Sequence, residues 1–214
     1  MTQQSVREQL VVRLKRAGAA VDPAATEAFE RYFSLLARWN PRMNLTALPL
    51  HPPTDETFDR LFVEPVVAAG HLKPPNSDEA PVEWIDLGSG GGSPAIPLKA
   101  VRPSWTLTMV EAKGRKAAFL REAVRSLGLQ NTAVENVRFE ELETRSTADI
   151  VTVRAVKLDS SFGDTARNLL KHNGMLAVFG SIEASVPGFI VEDVISLIPE
   201  SPAVLTLLRV PRGT

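Results

Sequence analysis

The sequence predicts an α/β fold: a parallel, helix-covered sheet preceded by an N-terminal helical extension. Three observations predict it. From Val82 onward, short apolar runs alternate with amphipathic helical stretches. A glycine cluster, Gly88-Ser89-Gly90-Gly91-Gly92, follows the first of those runs. Residues 1–80 carry helical periodicity instead.

The helical part is read first. Val6, Leu10, Leu14 and Ala17 recur at helical spacing until Gly18. Asp22-Pro23 is a helix start, an N-cap carboxylate followed by a proline whose missing N–H is not needed there. Phe29, Tyr32, Phe33, Leu36 and Trp39 form one apolar stripe after it, and Pro41 is expected to end that helix. Residues 49–56 are proline-rich and read as a loop. Phe58 to Ala69 reads as a helix complicated by Pro65, and residues 70–81 as a linker. The chain therefore divides into a helical cap and linker, residues 1–80, and a sheet domain, residues 81–214.

In the second part, Val82–Leu87, Trp105–Val110, Thr132–Val137, Asp149–Val153, Met175–Phe179 and Ala203–Val210 are predicted strands. Helices are predicted from Ser93-Pro94 to Ala100, over Lys113–Leu127 with Gly128 as its stop, and around Ser161–Leu170. Parallel sheets of this kind place ligands at the C-terminal ends of their strands.

Composition narrows the function. At 214 residues, with 44% hydrophobic and 23% charged, the chain is long enough for a full core and is not compositionally disordered. It has no cysteine, which excludes disulfides, zinc-thiolate sites and a cysteine nucleophile. No apolar run has the length of a membrane span, the N-terminal segment lacks a signal-peptide core, and no histidine pair has metal-ligand spacing. A cytoplasmic chain without membrane or metal partner is expected. The net charge of −1 conceals a local asymmetry. Between Lys99 and Arg125, seven basic residues face only Glu111 and Glu122. That run is either a solvated helix face or a patch for phosphate.

The glycine loop lies between a predicted strand and a helix, where glycines let the backbone turn tightly and approach a ligand. Its spacing is not the dinucleotide fingerprint, because the third glycine would fall at Ser93. No Gly-Lys-Ser/Thr follows, so it is not a P-loop. The pattern Gly88, Gly90, Gly92 with Asp86 two residues before resembles the first motif of Rossmann-like methyltransferases that bind S-adenosylmethionine. Glu111 ends the second strand 19 residues after Gly92, where an acceptor for ribose hydroxyls belongs.

Further motifs resemble those of the RsmG (GidB) family, which methylates N7 of a guanine in the 530 loop of 16S ribosomal RNA. Trp39-Asn40-Pro-Arg-Met-Asn44-Leu45-Thr46 resembles its W-N-x-x-x-N-L-T signature. Arg138-Phe139-Glu140 resembles R-A-E, and Arg154-Ala155-Val156 resembles R-A-V. The resemblance implies a class I methyltransferase sheet, mostly parallel with an antiparallel last strand, and S-adenosylmethionine as cofactor. It implies that the backbone at Gly88 and near Ser93 holds the amino acid part of the cofactor, that Glu111 takes its ribose and that Phe139 and Glu140 border its adenine. Gly90, Gly92 and Ala112 are expected among the cofactor-binding residues, as is Asp86, which can fix the loop amides or reach the methionine part. Arg154 would lie beside the methyl-transfer site, with Asn44 on the RNA-facing side. A small-subunit RNA partner would meet Lys113, Arg115, Lys116, Arg121 and Arg125, and a monomer is expected.

The chain departs from the family pattern. Leu61 and Pro65 replace a histidine and a serine after Arg60, and Pro94-Ala95 replaces Pro-Gly. Phe139 replaces an alanine, and Phe179-Gly180 stands where lysine-glycine is common. The missing groups also bear on the chemistry. N7 of guanine carries a free lone pair, so its methylation needs alignment rather than a general base. His51, His71 and His172 read as surface residues, C5 chemistry lacks its cysteine, and no Asp/Asn-Pro-Pro-aromatic element follows Asp149–Arg154. Two other readings fit: a methyltransferase of a small molecule or another RNA, and a non-catalytic ribosome-binding homologue.

Overall fold

Five parallel strands form the centre of the molecule: β1 (Glu83–Leu87), β2 (Thr106–Val110), β3 (Thr132–Glu135), β4 (Ala148–Arg154) and β5 (Leu170–Gly180). The computed structural model describes residues 3–74, 81–143 and 145–211. Two more strands, β6 (Ile190–Ser196) and β7 (Val204–Arg209), complete a sheet ordered β3-β2-β1-β4-β5-β7-β6. β7 runs antiparallel between β5 and β6. The mostly parallel sheet with an antiparallel last strand is thus present. The strand order reverses between β1 and β4, and there Leu87 pairs with both Val110 and Val153. The chain leaving β1 as the glycine loop and the chain leaving β4 at Arg154 consequently emerge side by side.

Alternating residues of the strands face two cores, as a period of two requires. On one face Trp84, Leu107, Met109 and Ile150 pack with α5 (Ala95–Val101), α6 (Gly114–Leu127) and the N-terminal helices. On the other, Ile85, Leu87, Val151 and Val153 pack with Phe162 and Leu169 of α7 (Ser160–Leu169). The N-terminal helices are α1 (Gln3–Arg16), α2 (Pro23–Met43), α3 (Asp55–Phe58) and α4 (Glu64–His71). Phe29, Phe58 and Phe62 are fully buried between them and pack ring against ring with Tyr32 and Phe33. Each such ring contributes about 2 kcal/mol of burial, more than an exposed ion pair such as Arg167 with Asp164.

Asp22 caps α2 as expected, accepting from the Ala25 N–H at 2.6 Å. Pro41, however, does not end the helix, which continues to Met43 with Asn44 as a left-handed C-cap at φ 49°. The Asn40 side chain makes this possible. Its Oδ1 accepts from the N–H groups of Leu45 and Thr46 at 2.8 and 2.9 Å, and its Nδ2 donates to the Thr46 carbonyl at 3.1 Å.

The helix expected over Phe58–Ala69 begins earlier, at Asp55, and is interrupted by a wide turn of π-helix, Asp59–Val63. The Glu64 N–H reaches back five residues to the Asp59 carbonyl. Pro65 has no N–H to offer. The Arg60 carbonyl is therefore left without a helical donor, and the cleft below uses it. β5 starts earlier than expected, and β6 is an element that periodicity does not reveal. Residues 75–80, most of the expected linker, lie outside the described residues.

Candidate active site

At the C-terminal ends of β1, β2 and β4 a cleft of about 650 Å³ opens between the sheet and the N-terminal helices. Gly88–Gly91, Ser93, Glu111, Lys113, Lys116, Arg154 and Ala155 form one wall. Tyr32, Leu45, Thr46, Arg60 and Leu61 contribute the other.

The glycine loop is held from several sides. The Gly88 and Ser89 N–H groups donate to the Val110 carbonyl at 2.9 and 3.1 Å. The Gly90 N–H donates to Glu111 Oε2 at 2.9 Å, while Glu111 Oε1 accepts from the Lys113 N–H at 2.8 Å. One carboxylate thereby fixes both the loop and the entry to α6, and its remaining lone pairs can still accept hydroxyls. Gly88 has φ 72°, and a Cβ there would stand 2.8 Å from Val156 Cγ2. At Gly91 the constraint is close approach: a Cβ would lie 2.8 Å from the Leu45 carbonyl oxygen. The Tyr32 hydroxyl donates to the Gly91 carbonyl at 2.6 Å. The N-terminal helices thus grip the loop directly. Desolvation lifts the fully buried Tyr32 hydroxyl well above its usual titration range, keeping it a donor.

Beneath the loop, a buried relay runs from the Trp84 indole N–H to Thr152 Oγ1 at 2.8 Å, and from that hydroxyl to Asp86 Oδ1 at 2.5 Å. Asp86 Oδ2 is buried without a partner among the described residues. Burial pushes this carboxyl up to about 6, against the opposing pull of Thr152 and Arg154. An orphaned acceptor under a glycine cradle suits a cationic ligand group.

Arg154 closes the cleft. Its Nη1 donates to the Arg60 carbonyl at 2.6 Å, its Nη2 meets Glu64 Oε2 at 2.7 Å, and the guanidinium lies 4.9 Å over the Phe179 ring. Desolvation raises the Glu64 carboxyl and lowers Arg154, while each charge partly offsets the penalty on the other. Ser93 Oγ donates to the Arg60 and Leu61 carbonyls at 3.2 and 3.1 Å. Its hydroxyl is therefore used on the cap. Ala155, at φ 57°, occupies a left-handed conformation that its Cβ disfavours.

The cleft therefore brings together Gly88, Gly90, Ser93, Glu111, Lys113, Lys116 and Arg154, with Asp86 underneath. Gly92 packs against Ile96. Asn44 is exposed outside the lining, as is Ala112, while Thr46 supplies the lining of that turn. Phe139 and Glu140 lie in a short turn outside the lining, where the Phe139 ring packs edge-on against Phe162 at 5.9 Å. Of the basic run, Lys99 is buried and donates to the Pro103 and Trp105 carbonyls, and Arg102 donates to the Ala69 carbonyl at 2.6 Å. Both are structural. Arg121 bonds the Val134 carbonyl at 3.1 Å, and Arg125 pairs with Glu122 at 2.8 Å. The three histidines are exposed.

Residues 25–184 match the family model described as GidB, rRNA small subunit methyltransferase G. The chain belongs to this family. A ribosomal RNA small subunit methyltransferase G of Stenotrophomonas maltophilia is 38% identical over 162 residues, covering 75% of this chain and 71% of that one. One from Xanthomonas oryzae pv. oryzae is 34% identical over 183 residues, covering 85% and 77%. Among solved structures, a SAM dependent methyltransferase from Aquifex aeolicus shares the fold at 16% identity and a TM-score of 0.53. It covers 72% of this chain and 93% of that one. Tyr32, Arg60, Glu64, Gly91 and Thr152 join the site although sequence patterns do not single out their contacts. Their roles depend on long-range packing between the cap and the sheet.

Proposed function

We propose that this chain transfers a methyl group from S-adenosylmethionine to N7 of a guanine in the 530 loop of 16S ribosomal RNA. As a member of its family it is an S-adenosylmethionine-dependent methyltransferase of small-subunit ribosomal RNA. The observation that carries the finer reading is the meeting, in one cleft, of the glycine cradle, Glu111 and the R-A-V arginine, Arg154.

When bound, the cofactor supplies a methyl group activated on a positively charged sulfur. The residues present fit it. The N–H groups of Gly88, Ser89, Gly90 and Gly92 are spent within the protein, so these positions offer acceptors rather than donors. With Asp86 Oδ2 they suit the ammonium of its amino acid part, and Gly88, Gly90 and Ser93 border that part. Glu111 accepts from the ribose, with Ala112 beside it. Phe139 and Glu140 would border the adenine, although neither lines the cleft and the Phe139 ring is engaged by Phe162.

N7 attacks with its own lone pair, so no residue must remove a proton. Arg154, immobilised by Glu64 and the Arg60 carbonyl, presents a fixed cation to the guanine or its phosphate. Lys113 and Lys116 extend that positive wall, Arg115, Arg121 and Arg125 continue it along α6, and Asn44 supports the rim. Residues 1–80 act as the cap of this site, and residues 81–214 as the cofactor-binding domain. In this reading the chain works in the cytoplasm as a monomer, without a metal ion. Among the described residues no helix is long and apolar enough to cross a membrane.

The test is methyl transfer from radiolabelled S-adenosylmethionine to isolated small ribosomal subunits, run beside a panel of small metabolites. Label in 16S RNA that digests to 7-methylguanosine is expected. Label only in a metabolite would establish the small-molecule reading, and absent cofactor binding by calorimetry the non-catalytic one.

A further inference from the structure

A second groove lies outside the cleft, between the C-terminal turns of α2 and the N-terminal half of α6. It is about 510 Å³ and is lined by Arg38, Trp39, Arg42, Met43, Arg115 and Ala118. That is within the size range of small-ligand sites. Arg38, Arg42 and Arg115 are exposed, and among the described residues none of them has a carboxylate within ion-pair distance. Trp39 is half-buried, its ring held edge-on by Phe119 at 6.0 Å.

Packing holds α2 and α6 in fixed relation: Arg31 on α2 donates to the Ser126 carbonyl of α6. Three arginines around an aromatic ring therefore sit in a fixed frame rather than on mobile loops. Arg125 and Arg209, by contrast, are matched by Glu122 and Glu192. The groove also adjoins the catalytic cleft through sequence neighbours on both helices. Lys116 follows Arg115 on α6, and the turn carrying Leu45 and Thr46 follows Met43.

We propose that this groove is a second RNA subsite, taking a nucleotide of the single strand that flanks the target base. Arg38, Arg42 and Arg115 clasp its phosphates, and Trp39 offers the flat apolar face on which its base stacks. The proposal rests on the ribosomal RNA reading above and deepens it. Unpaired nucleotides suit the groove because their bases are free to leave the stack and lie on an aromatic ring.

The full-length R38Q/R42Q variant tests it. The changed residues are exposed and touch neither the cofactor loop nor Arg154, so cofactor affinity by calorimetry should match that of the wild type. The KM for small subunits should rise about tenfold with kcat nearly unchanged, and the salt slope of 16S RNA binding should fall by about 0.7 per contact removed. Unchanged KM and salt slope, beside an active wild type, would overturn the subsite alone. A wild-type protein that neither binds nor methylates 16S RNA would overturn the parent reading and the subsite together. Intrinsic fluorescence gives a second readout, because Trp84 and Trp105 are only 1% and 8% exposed. Saturating oligouridylate should quench Trp39 emission in the wild type and do so more weakly in the variant. Full RNA binding without quenching would overturn the assignment of a base to Trp39.

Discussion

Arg154, the last residue of β4, meets the Glu64 carboxylate of α4 at 2.7 Å, with side chains only 12% and 6% exposed. This ion pair is one of the polar joints between cap and sheet, beside the Tyr32 bond to Gly91 and the Ser93 bonds to Arg60 and Leu61. Desolvation makes it a weak source of net stability, but either partner left alone is a buried, uncompensated charge. E64Q should therefore destabilise the fold by about 3 kcal/mol, read from urea denaturation. The double variant E64Q/R154M should recover most of that loss, because it removes both charges. No recovery in the double variant would contradict this account, and R154M alone completes the cycle that measures the coupling.

Asp86 gives the fold a defined pH dependence. Its folded pKa of about 6 lies above the ordinary 3.8, so the native state holds a proton that the unfolded chain releases. Stability must fall as pH rises from about 4 through 6, by up to ~3 kcal/mol for a shift of this size. D86N should flatten that slope in denaturation curves measured across this range. In the wild type, cofactor affinity should rise over the same interval, since an ionised Asp86 is the better partner for an ammonium.

Gly91→Ala tests the grip of the cap on the loop. The added methyl would meet the Leu45 carbonyl oxygen at 2.8 Å, a backbone atom with little freedom to move. A loss of about 1–3 kcal/mol is expected in thermal or urea unfolding, with weakened cofactor binding by calorimetry. Y32F removes the 2.6 Å bond to the Gly91 carbonyl from the same joint. It should cost about 1–2 kcal/mol and shift cofactor affinity in the same direction.

The basic run of α6 divides by geometry. Lys113 and Lys116 line the cleft, whereas Arg125 is occupied by Glu122 and Arg121 by the Val134 carbonyl. K113E/K116E should weaken 16S RNA binding and reduce its salt dependence strongly. R121E/R125E should do so less. Salt titrations of RNA binding distinguish the two, and equal effects would place the contact surface along the whole helix.

Much of this fold is legible in the sequence because local signals agree with the tertiary structure. Asp22-Pro23 starts α2, Gly128 stops α6 in a left-handed turn, and β1, β2, β4 and β7 fall close to where their apolar patterns place them. The exceptions have physical reasons. Pro41 is tolerated because the Asn40 side chain ties the turn beyond it. β6 escapes notice because Ile190, Val191, Val194 and Ile195 do not alternate, and the strand lies exposed at the sheet edge. At the site, Gly88, Glu111 and Arg154 are visible as motifs. Their partners Glu64, Tyr32 and Thr152 are not, because each is brought in from a distant part of the chain. Lys99 and Arg102 show the reverse error, cations of a basic run that turn inward to carbonyl groups.

The central claim is methylation of guanine N7 in the 530 loop, and mass spectrometry of 16S ribosomal RNA tests it most directly. The RNA is taken from a strain lacking this gene and from the same strain carrying it again. The expected result is loss of the 7-methylguanosine in that loop on deletion and its return with the wild-type gene. A guanine still fully methylated at N7 in the deletion strain would contradict the claim.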